Sequence, residues 1–191
     1  MDLEDIYDAY RIDPSFKHLR RRFNFVPGEG NTSANIMFVG EAPGRTEDRE
    51  EKPFCGASGK VLNRMLESID LKRDDCFVTN LLKYRPSTDN RDPTPQEIRD
   101  SLGYLGEEIN SVNPRLIVTL GIIPARAFLP GNRFKNIKGT VNLLAVDLCL
   151  LVTYHPAYIS YNHSAEAEYL EHFALIKGFA DDKGSGDGQP S

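Results

Sequence analysis

Short apolar runs alternate with stretches of helical period along this chain. Ile36 to Val39 is an unbroken apolar run that stops at Gly40, the pattern of a strand buried on both faces. From Val61 to Ile69 the apolar residues fall at 61, 62, 65, 66 and 69, a helical stripe. Cys76 to Thr79 reads as a second strand and Leu116 to Leu120 as a third, stopped by Gly121; Val141–Val146 and Leu148–Thr153 read as two more. Pro95–Val112 predicts a long helix, because Thr94 supplies an N-cap, Pro95 suits the first turn, and Glu97 stands three residues after the cap. A short helix around Pro124–Phe128 and a closing helix over Ala165–Ala180 complete the series. Strands alternating with helices predict a parallel or mixed sheet covered on both faces. In such folds ligands gather beyond the carboxyl ends of the strands. Glu41, Asn80 and His155 follow the first, second and last of these strands, so the polar loop residues converge where a site is expected.

Composition narrows the class without naming a chemistry. The chain has 191 residues, 40% hydrophobic and 27% charged, which excludes a disordered, collagen-like or disulfide-scaffold protein. One domain over residues 1–183 with a flexible polar tail from 184 to 191 is expected. The three cysteines, Cys55, Cys76 and Cys149, lie far apart and form no CxxC or Cys/His cluster, so neither a disulfide framework nor a metal site is supported. The most apolar stretch, Leu143 to Val152, is interrupted by Asp147 and is too short to span a bilayer, and the amino terminus is acidic. A soluble, cytoplasmic protein with no membrane contact is expected. The net charge of −5 is concentrated in the two ends, leaving residues 14–164 with a slight basic excess. Charge therefore neither excludes a nucleic-acid partner nor argues for one.

Taken singly, the candidate motifs carry bland readings beside functional ones. Gly40 to Asp48 begins GEAPG, a tight Gly/Pro turn that is neither GxGxxG nor a phosphate loop, since no GK[ST] run follows. Residues 53–59, PFCGASG, place small residues beside an aromatic: Phe54 is either core or a platform on which a flat ring stacks. Asn80 either caps a turn or presents its amide to a ligand. His155, followed by Pro156, is either a satisfied structural histidine or a donor in the site.

Together, GEAPG with Glu47, PFCGASG, the Thr79–Asn80 strand end with KYRP at 83–86, and HPAY at 155–158 resemble the uracil-DNA glycosylase superfamily, most closely its family 4 branch from bacteria and archaea. The resemblance covers roughly residues 34–175. It implies an α/β fold, a three-layer α/β/α sandwich with a central, mostly parallel sheet of four to five strands. It also implies an enzyme that flips uracil out of single- or double-stranded DNA and hydrolyses the N-glycosidic bond to begin base-excision repair, acting as a monomer near the nucleoid. Carried over, Glu41 would place the attacking water and His155 would donate to uracil O2 as the base leaves. Ala42, Glu47, Phe54 and Asn80 would bind uracil, with Phe54 stacking, Asn80 reading the pyrimidine edge, and Glu47 crowding out the methyl of thymine. Arg85, Arg91 and Lys138 would hold the DNA backbone, with the basic run Lys17–Arg22 as a second candidate. The segment from Ala157 through Tyr158 and Ile159 would push into the duplex.

The sequence also departs from its relatives. Family 4 enzymes generally carry a [4Fe–4S] cluster on four cysteines, two near the amino terminus and two after the asparagine strand. Here residues 1–30 hold no cysteine, Tyr84 stands where the family has Cys, and Asp100 or Ser101 lies near the fourth position. Such a cluster takes four thiolates, so no cofactor is expected. Packing by Tyr7, Tyr10, Phe23, Phe25 and Tyr84 is expected to tie the amino-terminal arm down instead. The loop after Lys83 lacks the basic, histidine-bearing insertion of the branch that cross-links to uracil DNA, so turnover is expected. The alternatives are a non-catalytic protein binding uracil DNA or a partner, and a glycosylase that also accepts hypoxanthine or xanthine.

Overall fold

The structure, a computed structural model, describes residues 1–89 and 91–180. The expected domain limit at 183 and the tail at 184–191 lie outside the described residues. The helices are α1 (Leu3–Ile12), α2 (Lys17–Arg20), α3 (Arg45–Glu50), α4 (Ala57–Glu67), α5 (Pro95–Val112), α6 (Ile122–Phe128), α7 (Phe134–Ile137), α8 (Pro156–Tyr161) and α9 (Glu166–Ala180). The strands are β1 (Glu29–Gly30), β2 (Ile36–Gly40), β3 (Phe77–Asn80), β4 (Leu116–Leu120), β5 (Val141–Ala145) and β6 (Leu148–Thr153). They form one sheet in the order β1-β3-β2-β4-β6-β5. The four central strands run parallel and the two edge strands antiparallel.

Alternation along each strand explains the three layers. Ile36, Phe38, Val118, Leu120 and Leu151 point to one face, where they meet Leu62, Met65 and Leu66 of α4 and Tyr169, Phe173 and Ile176 of α9. Met37, Val39, Ile117, Leu150 and Val152 point to the other, against Leu105 and Val112 of α5 and Ala125 of α6. Both faces are apolar, so the central strands read as continuous hydrophobic runs.

Among the described residues the sheet has six strands, one more than the upper bound expected; the addition, β1, is two residues long and carries no period to detect. The helix over Pro95–Val112 has the expected capping box, with Thr94 accepting from the Glu97 amide and the Glu97 carboxylate accepting from the Thr94 amide. Helix α4 starts at Ala57, ahead of the apolar stripe, because its first turn is built of small residues. Helix α3 buries no residue and so leaves no hydrophobic signal. Helix α1 lies outside the elements expected above: Asp2 caps it and Ile6, Tyr7 and Tyr10 are buried, a 3–4 spacing masked by the surrounding acids.

Candidate active site

Strand β3 ends one residue later than expected, so Asn80 is in register with Gly40 at the end of the parallel ladder. The chain leaving β2 turns directly over this point. A Cβ on Gly40 would lie 2.3 Å from Asn80 Oδ1 and 2.5 Å from Phe54 Cζ, so only glycine leaves room for both side chains. Gly59 plays the same part below: a Cβ there would meet the Phe54 carbonyl oxygen at 1.7 Å, so the first turn of α4 can close against that backbone. Phe54 has a left-handed φ of 50°, an uncommon conformation for an aromatic residue and one found at sites where the surroundings impose it. Its ring belongs to the core and also walls a cavity, with its centroid 6.1 Å from that of the His155 ring.

The cavity measures about 120 Å³ and is lined by Ala42, Gly44, Glu47, Phe54, Ser58, Asn80 and His155. The fold thus brings Ala42, Glu47, Phe54, Asn80 and His155 to one place, from the loop after β2, from α3, from the turn into α4, from the last residue of β3 and from the loop after β6. Its size suits one small ring rather than a larger ligand. A wider depression beside Asn63, Glu67 and Lys72 lies away from these groups, whereas another, lined by Lys52, Cys55 and Arg73, shares Phe54 with the cavity. Glu41 stands in the same loop, with its carbonyl accepting from the Leu82 amide, but it does not line the cavity wall. Ser58 and Gly44 also line it; both stand inside the GEAPG and PFCGASG motifs, where small residues read first as turn formers.

Electrostatics distinguish the titratable groups. Burial, aided by the charge of Asp92, lifts the Glu41 carboxyl from 4.5 to about 7. Burial lowers His155 to about 4 against the opposing pull of Glu47, so its ring is neutral at pH 7. His155 is also the N-cap of α8, where the Ala157 amide donates to Nδ1 at 3.1 Å. An acceptor Nδ1 puts the proton of the neutral ring on Nε2. Glu47 Oε1 accepts from the Gly56 amide at 2.9 Å, which ties α3 to the turn carrying Phe54.

The expected DNA contacts stand differently. Ile159 is 1% exposed and packs in the core, so its expected entry into a duplex is corrected. The reason is helical geometry: Pro156 and Ile159 lie three residues apart on the buried face of α8, leaving Tyr158 44% exposed and stacked on Tyr154 at 5.0 Å. Arg85 is buried; its guanidinium donates to the Thr88 carbonyl at 3.0 Å and lies over Phe23. Arg91 makes two hydrogen bonds of 2.8 Å to Glu97. Burial would raise the Glu97 carboxyl, but Arg91, His18 and the Thr94 amide together bring it down to about 2. Lys138 pairs with Glu168 and sits over the Tyr154 ring. Each of these three cations therefore has a partner inside the protein that DNA would have to replace. Lys17, Arg20, Arg21 and Arg22 of the second basic run are exposed.

The place implied for an iron–sulfur cluster is packed with rings. Tyr10 stacks on Phe16 at 4.1 Å and adjoins Tyr84 and Tyr104 at 5.9 and 4.8 Å. Tyr10 Oη and Ser101 Oγ are hydrogen-bonded at 2.9 Å, so Ser101, and not Asp100, faces this box; Asp100 accepts from Gln96 instead. Of the expected rings, Tyr10, Phe23, Phe25 and Tyr84 pack together here, joined by Phe16 and Tyr104, whereas Tyr7 meets the cluster only edge-on through Phe25 and turns its hydroxyl to Glu108. Four thiolates cannot be assembled here: Cys55 is exposed, Cys76 is buried and Cys149 is in β6, none of them in the box. Among the described residues no group of three or more His, Cys, Asp or Glu is placed to hold a metal ion. Tyr84→Ala is expected to destabilise the protein by about 3 kcal/mol, the cost of emptying a buried aromatic site. Urea or thermal melting measures it, and an unchanged midpoint would show that the box does not anchor the arm.

No helix among the described residues is long and apolar enough to cross a membrane. Residues 27–176 match the family profile described as the uracil DNA glycosylase superfamily. The chain is 40% identical over 165 residues to the type-4 uracil-DNA glycosylase of Archaeoglobus fulgidus, covering 82% of each chain. It is 40% identical over 185 residues to that of Saccharolobus solfataricus, covering 92% of this chain and 85% of the relative. It is 35% identical over 188 residues to that of Pyrobaculum aerophilum, covering 93% and 94%.

Proposed function

Given that the chain belongs to the uracil-DNA glycosylase superfamily and works as a uracil-DNA glycosylase, we propose that the cavity between Phe54, Asn80 and His155 holds a flipped-out uracil while its N-glycosidic bond is hydrolysed. The observation that carries this reading is the convergence of an aromatic face, a buried amide and a neutral imidazole on one cavity sized for a single ring. A base inside a duplex is out of reach, and flipping it out costs a few kcal/mol. Stacking on Phe54 offsets about 1–3 kcal/mol of that cost. The Asn80 amide offers an acceptor for uracil N3–H and a donor for O4. Cytosine reverses both groups and would leave buried polar atoms unpaired. Glu47, part of the cavity lining, fills the space a methyl on C5 would need.

In the reaction the bond from C1′ to N1 breaks and its electron pair leaves with the base. Negative charge develops on uracil, and Nε2–H of His155 donates to O2, stabilising the leaving anion as an oxyanion-hole donor does. Positive charge develops on the sugar, and an ionised Glu41 stabilises it and orients the water that adds to C1′. One water proton passes to Glu41 or solvent, and the departed uracil anion takes up one proton from solvent, leaving uracil and an abasic site. This chemistry needs no cofactor, and we assign none.

We take a single chain as the working unit, because Ala42, Phe54, Asn80 and His155 already close the cavity within it. Both single-stranded and duplex uracil DNA are taken as substrates. Tyr158 is the side chain of its segment available to occupy the vacated space in a duplex. Lys17–Arg22 supply phosphate contacts, with Arg91 and Lys138 joining only by exchanging their internal carboxylates for phosphate.

Single-turnover base release from a labelled oligonucleotide tests the reading, with one uracil unpaired or opposite G, A, T or C and alkali cleavage of the product. Release from uracil strands, with cytosine and thymine controls intact, is expected. Tight binding without release would instead favour a non-catalytic scaffold.

A further inference from the structure

Lys83 has a buried ammonium, 1% exposed, with no part in the steps described above. Its Nζ donates to Thr79 Oγ1 at 2.6 Å, to the backbone carbonyl of Asn80 at 2.6 Å and to Glu108 Oε2 at 2.5 Å. All three of its donors are thereby used. Glu108, fully buried on α5, also accepts from the Tyr7 hydroxyl at 2.6 Å. Resting on the reading of Asn80 as the group that recognises the base, we propose that Lys83 is a positioning residue for uracil recognition: its ammonium holds the Asn80 carbonyl so that the amide meets the flipped base in one orientation.

The position of Asn80 in the fold supports this. It is the last residue of β3, and the ladder with β2 stops there. Beyond it the Leu81 and Leu82 amides bond back to Gly40 and Glu41, while the Asn80 carbonyl is taken by the lysine. The orientation of that peptide sets the direction of the Cα–Cβ bond, and recognition groups have to be held to about 0.5 Å and 10–20°. Lys83 is itself fixed at both backbone ends, its amide donating to Tyr10 Oη and its carbonyl accepting from the Val26 amide. A buried ion pair is a poor device for stability alone, since an uncharged pair of similar volume often serves as well. Here the pair aims a charged donor at one peptide oxygen of the site. Through Tyr7 and Glu108 it also links α1 to that oxygen.

The test replaces the pair together, Lys83→Met with Glu108→Gln, so that no buried charge is left unmatched. Uracil release and melting are measured in this protein, in wild type, in Asn80→Ala, and in the combination of all three changes. A folded paired variant is expected to release uracil about tenfold or more slowly than wild type. On the Asn80→Ala background the same pair is expected to add less than about a twofold loss, because residues acting as a unit are not additive. Wild-type release by the paired variant would overturn the proposal, as would a full second tenfold loss on the Asn80→Ala background, which is the mark of a purely structural role. A wild type that released no uracil would instead overturn the glycosylase reading, and the proposal with it. Should the paired variant fail to fold, NMR of the wild-type protein decides. A scalar coupling across the hydrogen bond from Lys83 Nζ to the Asn80 carbonyl carbon is expected, and its absence overturns the proposal.

Discussion

Replacement of Asn80 by alanine is expected to slow single-turnover uracil release by about 10²–10³, the usual loss when one preorganised hydrogen-bonding group is removed from a reacting centre. Asn80 is 3% exposed, so the change leaves uracil N3–H and O4 facing a cavity with no partner. An unmatched polar atom in such a place carries its full desolvation cost. The loss should appear in the release rate more than in DNA affinity, because affinity comes mainly from phosphate contacts that do not reach the amide. Melting should change little: the amide faces a cavity, and the alanine fits the space beside Gly40 that the asparagine occupies. Single-turnover kinetics on a uracil oligonucleotide, with binding measured on the same strand, separates these effects. Release within threefold of wild type would remove Asn80 from the recognition step.

The pH profile carries the second large effect. Glu41, raised to about 7, is protonated in acid, and the stabilising carboxylate appears only as pH rises through that value. Release is therefore expected to climb between about pH 6 and 8, following one ionisation. Glu41→Gln should abolish the climb and lower the plateau by about 10², within the range for losing a group of this kind. His155 adds no limb in that window. With its pKa near 4 and Nδ1 already engaged, it is a neutral donor throughout. His155→Ala should cost about 10²–10³ at every pH measured, leaving the shape of the profile unchanged. A fall in release across pH 6–7 that disappears in His155→Ala would mean that the imidazolium, not the neutral ring, is the working form. Stability runs opposite to activity. A carboxyl whose folded pKa is raised contributes stability fully below its unfolded value near 4.5, and that contribution is lost as pH rises through about 7. Glu41→Gln should accordingly gain melting temperature over wild type at pH 8 and show no such gain at pH 4, a cost of holding a carboxylate in a site that needs it.

Much of the architecture was legible along the chain because strand and helix signals are local. The run Ile36–Val39 and the capped stretch Pro95–Val112 announce their elements within a few residues, and alternation across the strands implies helices on both faces. The order of GEAPG, PFCGASG, Asn80 and HPAY was equally readable, and the parallel sheet delivers those segments to one edge by topology alone. Elements that bury little, such as α3, or that are two residues long, such as β1, leave no periodic trace.

Local patterning along the chain thus settles which segments form the sheet and which residue types stand at its carboxyl edge. Which atoms those residues meet depends on how the packed elements come together. Ser101 rather than Asp100 faces Tyr10, Tyr158 rather than Ile159 faces solvent, and Arg91 and Lys138 are already held by Glu97 and Glu168. The buried pair of Lys83 and Glu108 spans 25 residues, and the bond of Tyr7 to Glu108 spans 101. The physical reason is range: propensity and period act over one or two turns of chain. Partner choice, burial and the pKa values they set arise only when distant segments are packed against one another.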